Sequence, residues 1–178
     1  MIEENYESIY ENEWLSLRKL DDYIYSHETR CNGKIVAILP FIPEPFQYIA
    51  RYEATPCIEN DQIRFCSITG GVEENNVEGT VIMELKEEAG IIAKESELIK
   101  LGTIYPSKSQ DTVVYLFGID ITGKEIGEAT GDGSNHETNA YVKLENDISK
   151  LITCKDPLNV VMFSRLLLLK RINLNLLE

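Results

Sequence analysis

The sequence has little positive charge for its length. Its 178 residues include 17 lysines and arginines against 30 aspartates and glutamates, which gives a formal net charge of −13 at pH 7. Proteins that bind nucleic acids usually present clustered basic residues to the phosphate backbone. We therefore expect no nucleic-acid partner. A small phosphorylated ligand remains compatible with this charge, because a bound metal ion can reverse the local field.

Metal-binding spacings of cysteine and histidine are also absent. The chain has two histidines and four cysteines, which are Cys31, Cys57, Cys66 and Cys154. No two of these cysteines form a C-x-x-C pair, and no histidine lies at zinc spacing from them. This pattern argues against a zinc site and favours buried thiols in a reducing compartment.

Long apolar segments are missing as well. The longest unbroken apolar run, residues 35–43, is far shorter than the roughly 20 residues that a membrane-spanning helix needs. The N-terminal stretch MIEENYESIYENEW lacks the basic start and apolar core of a signal peptide. The sequence thus predicts a cytoplasmic protein with no membrane partner.

The apolar pattern predicts strands on both sides of a central helix. The predicted strands span 14–20, 23–28, 34–41, 47–54, 62–68, 98–105, 112–122 and 140–144, with a hairpin turn at Asn32-Gly33. Besides the central helix, helical turns are predicted over 147–152, and a last helix from Asp156, an N-cap followed by proline, to about Ile172. Residues 1–12 are predicted to be a loose tail or a short helix, and 123–139 a loop. The order favours an α/β fold, an α/β/α sandwich around a mixed β-sheet over 33–178, preceded by an N-terminal β extension over 1–32.

Residues 70–91, GGVEENNVEGTVIMELKEEAGI, contain a glycine pair followed by the central, amphipathic helix. At about 100° per residue, one arc of this helix carries the apolar residues Val81, Ile82, Leu85 and Ala89. Spacings of three and four place the acidic residues on another arc: Glu84, Glu87 and Glu88. Gly90 stands where helices commonly end in a left-handed residue.

These three carboxylates allow two interpretations. They can form a solvated acidic helix face, which is common in so acidic a chain. Alternatively, they bind a hard divalent cation, which would reverse a repulsion of a few tenths of a kcal/mol per pair. The helix by itself leaves both interpretations open.

The same stretch resembles the Nudix box, G-x5-E-x7-R-E-U-x-E-E-x-G-U, in which U is a bulky aliphatic residue. The second half of the box matches at Glu84, Leu85, Glu87, Glu88, Gly90 and Ile91. The glycine pair matches the loop before the family's catalytic helix. Met83 stands in place of the box arginine, and Gly71 to Glu84 spans 13 positions, two fewer than in the box. The middle box glutamate therefore has three candidates: Glu73, Glu74 and Glu78.

The flanking sequence is similar to the ADP-ribose pyrophosphatase branch of the Nudix family. The similar segments are the Trp-Leu-x-Leu strand at 14–17, the strand at 23–28 ending in His-Glu, the apolar strand at 36–40, the arginine-bearing segment at 51–57 and Tyr-Pro-Ser at 105–107. Lys108-Ser109 replaces the Pro-Gly that follows this serine in the branch. An N-terminal extension builds the dimer in this branch, so the resemblance implies a homodimer.

The resemblance implies an enzyme that hydrolyses the pyrophosphate bond of a nucleoside diphosphate derivative with Mg²⁺ or Mn²⁺. ADP-ribose or a related nucleotide sugar is the expected substrate, and AMP and a sugar phosphate are the expected products. Because of Met83 and the shorter loop, a Nudix-fold module that binds such a nucleotide without turnover is the alternative.

The resemblance also assigns roles to individual residues. Glu84 and Glu88 are expected to be catalytic, and the expected metal ligands are Gly70, Glu84, Glu87 and Glu88. Glu137, on a late loop, is the expected general base, with Glu128 as its substitute. The substrate-binding candidates are Gly71, Arg51 and Arg64, since arginine binds phosphate with paired hydrogen bonds. Each arginine can equally be a surface cation in a salt bridge.

Overall fold

A computed structural model describes residues 6–55, 63–131 and 139–172. Within these ranges the chain forms a three-stranded sheet, a seven-stranded sheet and three α-helices. The three-stranded sheet is antiparallel and comprises β1 (Glu7–Glu11), β2 (Ser16–Leu20) and β3 (Tyr23–His27). It supplies the predicted N-terminal β extension.

Strand β1 corrects the prediction of a loose tail or short helix over 1–12. It pairs with β2 from Glu7, opposite Lys19, to Glu11, opposite Ser16. All five of its residues are exposed, so the strand has no buried face. Because no alternation of buried and polar residues marks such a strand, the sequence pattern did not reveal it.

The seven-stranded sheet is mixed, as predicted. Its strands are β4 (Lys34–Pro43), β5 (Phe46–Ala54), β6 (Ile63–Cys66), β7 (Ile68–Gly71), β8 (Leu98–Ile104), β9 (Val113–Asp120) and β10 (Tyr141–Glu145). The strand order is β10-β5-β4-β9-β8, with β6 beside β5 and β7 beside β4. Strands β4 and β9 run parallel, whereas the other pairs are antiparallel.

The turn at Asn32-Gly33 joins the two sheets and does not close the predicted hairpin. Asn32 and Gly33 have left-handed φ values of 49° and 67°. Strand β3, before the turn, belongs to the three-stranded sheet, and β4, after it, belongs to the seven-stranded one. The prediction of a hairpin is therefore wrong, because left-handed residues specify a chain reversal but not which strands pair.

The predicted strand over 62–68 is divided at Ser67. The backbone N–H and the hydroxyl of Ser67 donate hydrogen bonds of 2.6 and 2.7 Å to the same carboxylate oxygen of Asp156. The strand before this residue, β6, pairs with β5, whereas the strand after it, β7, pairs with β4. The glycine pair closes β7, opposite Ile35 and Val36 of β4.

Three α-helices are present in the described ranges: α1 (Val77–Ala89), α2 (Ile148–Ile152) and α3 (Pro157–Leu168). Asp156 caps α3 by accepting a 2.8 Å hydrogen bond from the N–H of Leu158, which confirms the predicted start. The helix ends at Leu168, four positions before the predicted end at Ile172. No helix in this part of the chain is long and apolar enough to cross a bilayer.

Strand β4 separates two hydrophobic cores, because its successive side chains point to opposite faces of the sheet. Val36 and Ile38 belong to the core that α1 covers. Ala37, Leu39 and Phe41 belong to the core that α3 covers. Helices thus pack on both faces of a mixed sheet, which confirms the predicted α/β/α sandwich.

Candidate functional site

A cleft of about 1390 Å³ lies between α1, the end of β7 and residues 29–32, which belong to the segment that joins the two sheets. Its lining includes six carboxylates: Glu53, Glu73, Glu74, Glu84, Glu87 and Glu88. Arg30 is the only lysine or arginine among the described residues that line it. A field of this sign attracts cations and opposes the entry of a phosphate group that has no cation beside it.

Both ends of α1 are capped, which fixes where the helix begins and ends. The side-chain oxygen of Asn76 accepts a 3.1 Å hydrogen bond from the N–H of Gly79. At the other end, Gly90 adopts φ = 64°, and its N–H contacts the carbonyls of the last turn, so the predicted helix end is confirmed.

Glu84, Glu87 and Glu88 of α1 do not form a freely solvated face. Glu84 and Glu87 are half-buried, and Glu88 is only 7% exposed. All three line the same cleft. A buried carboxylate must be paired, because an isolated buried charge is strongly unfavourable. The solvated-face interpretation therefore does not describe Glu88.

Glu88 is paired through Arg51 of β5. Nη2 of Arg51 lies 3.1 Å from Oε1 of Glu88, and Nη1 donates to the main-chain oxygen of Glu88 at 3.2 Å. The other carboxylate oxygen of Glu88 accepts a 3.3 Å hydrogen bond from the N–H of Thr69. On its far side, Nε of Arg51 donates to Glu53 at 2.8 Å. Arg51, predicted to bind substrate phosphate, is instead 2% exposed and is not among the described residues that line the cleft.

Glu84 lies against the backbone of Gly70. A Cβ atom built on Gly70 would meet Oε1 of Glu84 at 1.8 Å and its Cδ at 2.2 Å. Only glycine lets the carboxylate approach the strand so closely. The sequence therefore needs glycine at position 70 for the Glu84 carboxylate to occupy this place.

The short loop between β7 and α1 narrows the choice among the three candidates for the middle box glutamate. Two consecutive residues with left-handed φ, Glu74 at 47° and Asn75 at 60°, turn the chain. Glu73 and Glu74 line the cleft. Glu78 instead pairs with Lys100, and this hydrogen bond lowers the pKa of its carboxyl group. Glu78 is not among the described residues of the cleft, so Glu73 and Glu74 remain as candidates.

The late loop meets the end of α1 through two backbone hydrogen bonds. The N–H of Gly127 donates to the main-chain oxygen of Gly90, and that of Gly131 to the main-chain oxygen of Glu87, each at 2.9 Å. Gly131 also lines the cleft. Glu137 follows this point but lies outside the described residues, so its role stays a prediction. Glu128, its substitute, lies on the loop with an exposed side chain.

The remaining predicted substrate-binding residues are separated in the structure. Gly71 lines the cleft. Arg64 lies on β6 opposite Glu53 of β5, and it is not among the described residues of the cleft. The structure thus leaves Arg64 outside the cleft and brings together five of the predicted site residues: Gly70, Gly71, Glu84, Glu87 and Glu88.

Sequence reasoning missed one wall of the cleft. It consists of Trp14 and the segment Thr29, Arg30, Cys31 and Asn32, which joins the two sheets. Burial raises the pKa of the Cys31 thiol, and the nearby charge of Glu28 adds to this effect. The thiol is therefore protonated at neutral pH and is a poor nucleophile. No spacing of residues in the sequence predicted that this wall lines the cleft. The turn at Asn32-Gly33 brings it there, and the sequence pattern does not show where that turn leads.

The residues of the cleft suit a hard divalent cation. Among the described residues no three side chains of His, Cys, Asp or Glu converge tightly enough to form a complete metal cage. Mg²⁺ does not require one, because it usually takes one or two carboxylates and completes its coordination with water and substrate phosphates. Glu84, placed against Gly70, and Glu88 provide two such carboxylates within one cleft.

Comparison with known proteins gives a result at the level of the fold. No family model matches the sequence, and no curated protein matches it. The structure is similar to the crystal structure of an ADP compounds hydrolase, with a TM-score of 0.67 and 13% sequence identity over 94% of this chain and 92% of that chain. Likeness at this identity shows the fold alone. The chain therefore has a Nudix-like α/β/α fold, as the sequence predicted.

Proposed function

We propose that this protein is a hydrolase that uses Mg²⁺ or Mn²⁺ to cleave the pyrophosphate bond of a nucleoside diphosphate derivative. ADP-ribose or a related nucleotide sugar is the proposed substrate, and AMP and a sugar phosphate are the products. One observation carries the proposal: Glu84, Glu87 and Glu88 of one helix line a single cleft together with the glycine pair. The Nudix-like fold supports it.

The chemistry follows from the carboxylates of the cleft. A bound divalent ion neutralises phosphate charge and lowers the pKa of an attacking water. Glu84 and Glu88 would hold that ion, with Glu87 beside them and the main chain at Gly70 as a further ligand. Gly71 would let the substrate approach the main chain closely. Phosphoryl transfer depends mainly on such positioning.

Glu137 remains the proposed general base. Gly131, six positions before Glu137 in the sequence, lines the cleft and is hydrogen-bonded to the main chain of Glu87, which supports this choice. Glu137→Gln should lower turnover and leave metal affinity nearly unchanged. If Glu137→Gln keeps wild-type turnover, Glu128 becomes the proposed general base.

A homodimer belongs to the proposal as well. The three-stranded sheet and the β1–β2 turn expose eight large apolar side chains, each at least 36% exposed: Ile9, Tyr10, Trp14, Leu15, Leu17, Leu20, Tyr23 and Ile24. Successive residues of a strand point to opposite faces, so these side chains leave apolar groups exposed on both faces of the three-stranded sheet. A partner chain that covers them would bury apolar area, which supports the proposed dimerisation through residues 1–32.

The test incubates the protein with a panel of nucleoside diphosphate derivatives, with and without Mg²⁺, and adds a phosphatase that releases inorganic phosphate from the monoester products. Glu84→Gln and Glu88→Gln should each lower turnover by at least ~10²-fold, the scale of a lost positioned catalytic group. Glu95→Gln removes the same charge from an exposed residue and is the matched control. Wild-type rates in both site variants would refute the assignment.

Thermal melting measures Mg²⁺ binding independently of turnover, because a bound ion stabilises the folded protein. Mg²⁺ at ten times its Kd should stabilise the wild type by about 1.4 kcal/mol. Glu88→Gln should gain less, because it lacks one ligand. Tight binding of a nucleotide without turnover would favour the alternative, a binding module, which Met83 and the short loop support.

A further inference from the structure

We propose that Arg51 is a positioning residue that holds the carboxylate of Glu88 in the orientation required for metal binding. This inference rests on the proposed function. It replaces the predicted contact between Arg51 and substrate phosphate with a contact to a proposed metal ligand.

Arg51 contacts residue 88 at two places. One terminal nitrogen, Nη2, pairs with the carboxylate at 3.1 Å, and the other, Nη1, donates to the main-chain oxygen at 3.2 Å. The second carboxylate oxygen of Glu88 accepts from the N–H of Thr69 at 3.3 Å. An ionised carboxylate can accept about four hydrogen bonds or metal contacts. Each carboxylate oxygen of Glu88 therefore has a donor that fixes its position.

The position of Arg51 is itself fixed by the sheet. Its backbone lies between two strands, opposite Val142 of β10 on one side and Cys66 of β6 on the other. Glu53 lies two residues along the same strand, so its side chain shares the face of Arg51 and receives Nε at 2.8 Å. The guanidinium is thus held from both sides, between Glu53 and Glu88.

Helix α1 supplies no comparable cation. Lys86 is its only lysine or arginine, and its side chain is exposed. Met83, which lines the cleft beside Glu84 and Glu87, is uncharged. The arginine that neutralises Glu88 therefore comes from β5. A strand buried in the sheet places such a group more precisely than a loop would, because its ladder leaves little freedom.

The test compares Mn²⁺ binding, measured by electron paramagnetic resonance, with the kinetic constants of the same variants. Arg51→Met should weaken Mn²⁺ binding and lower kcat, each by about 10- to 100-fold, the usual effect of losing a group that orients a metal ligand. Arg51→Lys should fall between wild type and Arg51→Met, because one ammonium cannot reproduce the planar fork. Glu53→Gln should have a smaller effect in the same direction, because a neutral amide oxygen accepts a weaker hydrogen bond from Nε of Arg51 than a carboxylate does.

Arg165→Met is the matched control. Nη1 of Arg165 donates to the main-chain oxygen of Leu101 at 2.7 Å, on the side of the sheet that α3 covers. This variant also loses an arginine and its hydrogen bonds, but it should keep wild-type Mn²⁺ affinity. Circular dichroism and melting show whether each variant is folded. If Arg51→Met does not fold, Arg51→Lys and Glu53→Gln give the result.

Three outcomes would overturn the inference. Unchanged or tighter Mn²⁺ binding in folded Arg51 variants would make the ion pair a purely structural one. A higher KM with unchanged Mn²⁺ affinity would return Arg51 to the role of a phosphate ligand. A wild type that neither binds Mn²⁺ nor hydrolyses any substrate would remove the proposed function and this inference together. In the first two outcomes the hydrolase itself would stand.

Discussion

Replacing Gly70 with alanine should disable the candidate site while leaving the fold intact. The new Cβ would lie 1.8 Å from Oε1, 2.2 Å from Cδ and 2.6 Å from Cγ of Glu84. Non-bonded carbon atoms normally approach to about 3.5–4.0 Å, so the carboxylate must move by roughly 1.5 Å or more. A displacement of about 1 Å in a positioned group can cost ~10²-fold in rate.

The effect on stability should be much smaller. Glu84 is half-buried and can rotate away, at a cost of about 0.5–1.5 kcal/mol if it leaves a favoured rotamer. Alanine in a strand is favoured over glycine by roughly 0.5–1 kcal/mol, which offsets much of that cost. We therefore expect the free energy of unfolding to change by about 1 kcal/mol or less.

The assay measures the melting temperature, the Kd of Mn²⁺ and kcat/KM for the wild type and for Gly70→Ala. Gly118→Ala is the control, because its Cβ would meet Cδ2 of Leu166 at 2.9 Å, beside α3 and away from α1. It should lower the melting temperature without changing Mn²⁺ affinity. If Gly70→Ala retains both wild-type Mn²⁺ affinity and wild-type turnover, Glu84 is not a metal ligand and the reasoning fails.

Three further predictions follow from other parts of the fold. Asp156→Ala should lower the free energy of unfolding by about 1–3 kcal/mol in chemical denaturation, because it removes both the cap of α3 and the anchor of Ser67. Hydrogen bonding from Lys150 lowers the pKa of Glu145. The hydrogen bond between Lys150 and Glu145 therefore stabilises the fold when the pH is above the ordinary carboxyl pKa. This stabilisation is lost as the pH falls through the lowered pKa of Glu145. Lys150→Met should therefore destabilise the protein at pH 7, and melting curves should show the difference vanishing in acid. Leu17→Lys should convert the proposed homodimer to a monomer in light scattering. A monomeric wild type at micromolar concentration would contradict the dimer.

Local sequence patterns determined the acidic helix and its position along the chain. The apolar arc of α1, its cap at Asn76 and the glycine that ends it depend on residues within a few positions of one another. The same holds for the strands with a buried face, such as β4 and β5, and for the start of α3 at Asp156. These features can be predicted from the spacing of residues that are close in the sequence, because backbone geometry repeats every few residues.

Tertiary structure decided which of these elements meet. Strand β1 has no buried face, and the turn at Asn32-Gly33 does not say which strands pair, so the pairing within each sheet could not be predicted from either. The contact between Arg51 and Glu88 joins residues 37 positions apart, and it exists because β5 packs against α1. The sequence indicated three carboxylates on one helix. Only the packing of that helix on the sheet determined that Glu88 is buried against an arginine and that Glu84 lies on a glycine.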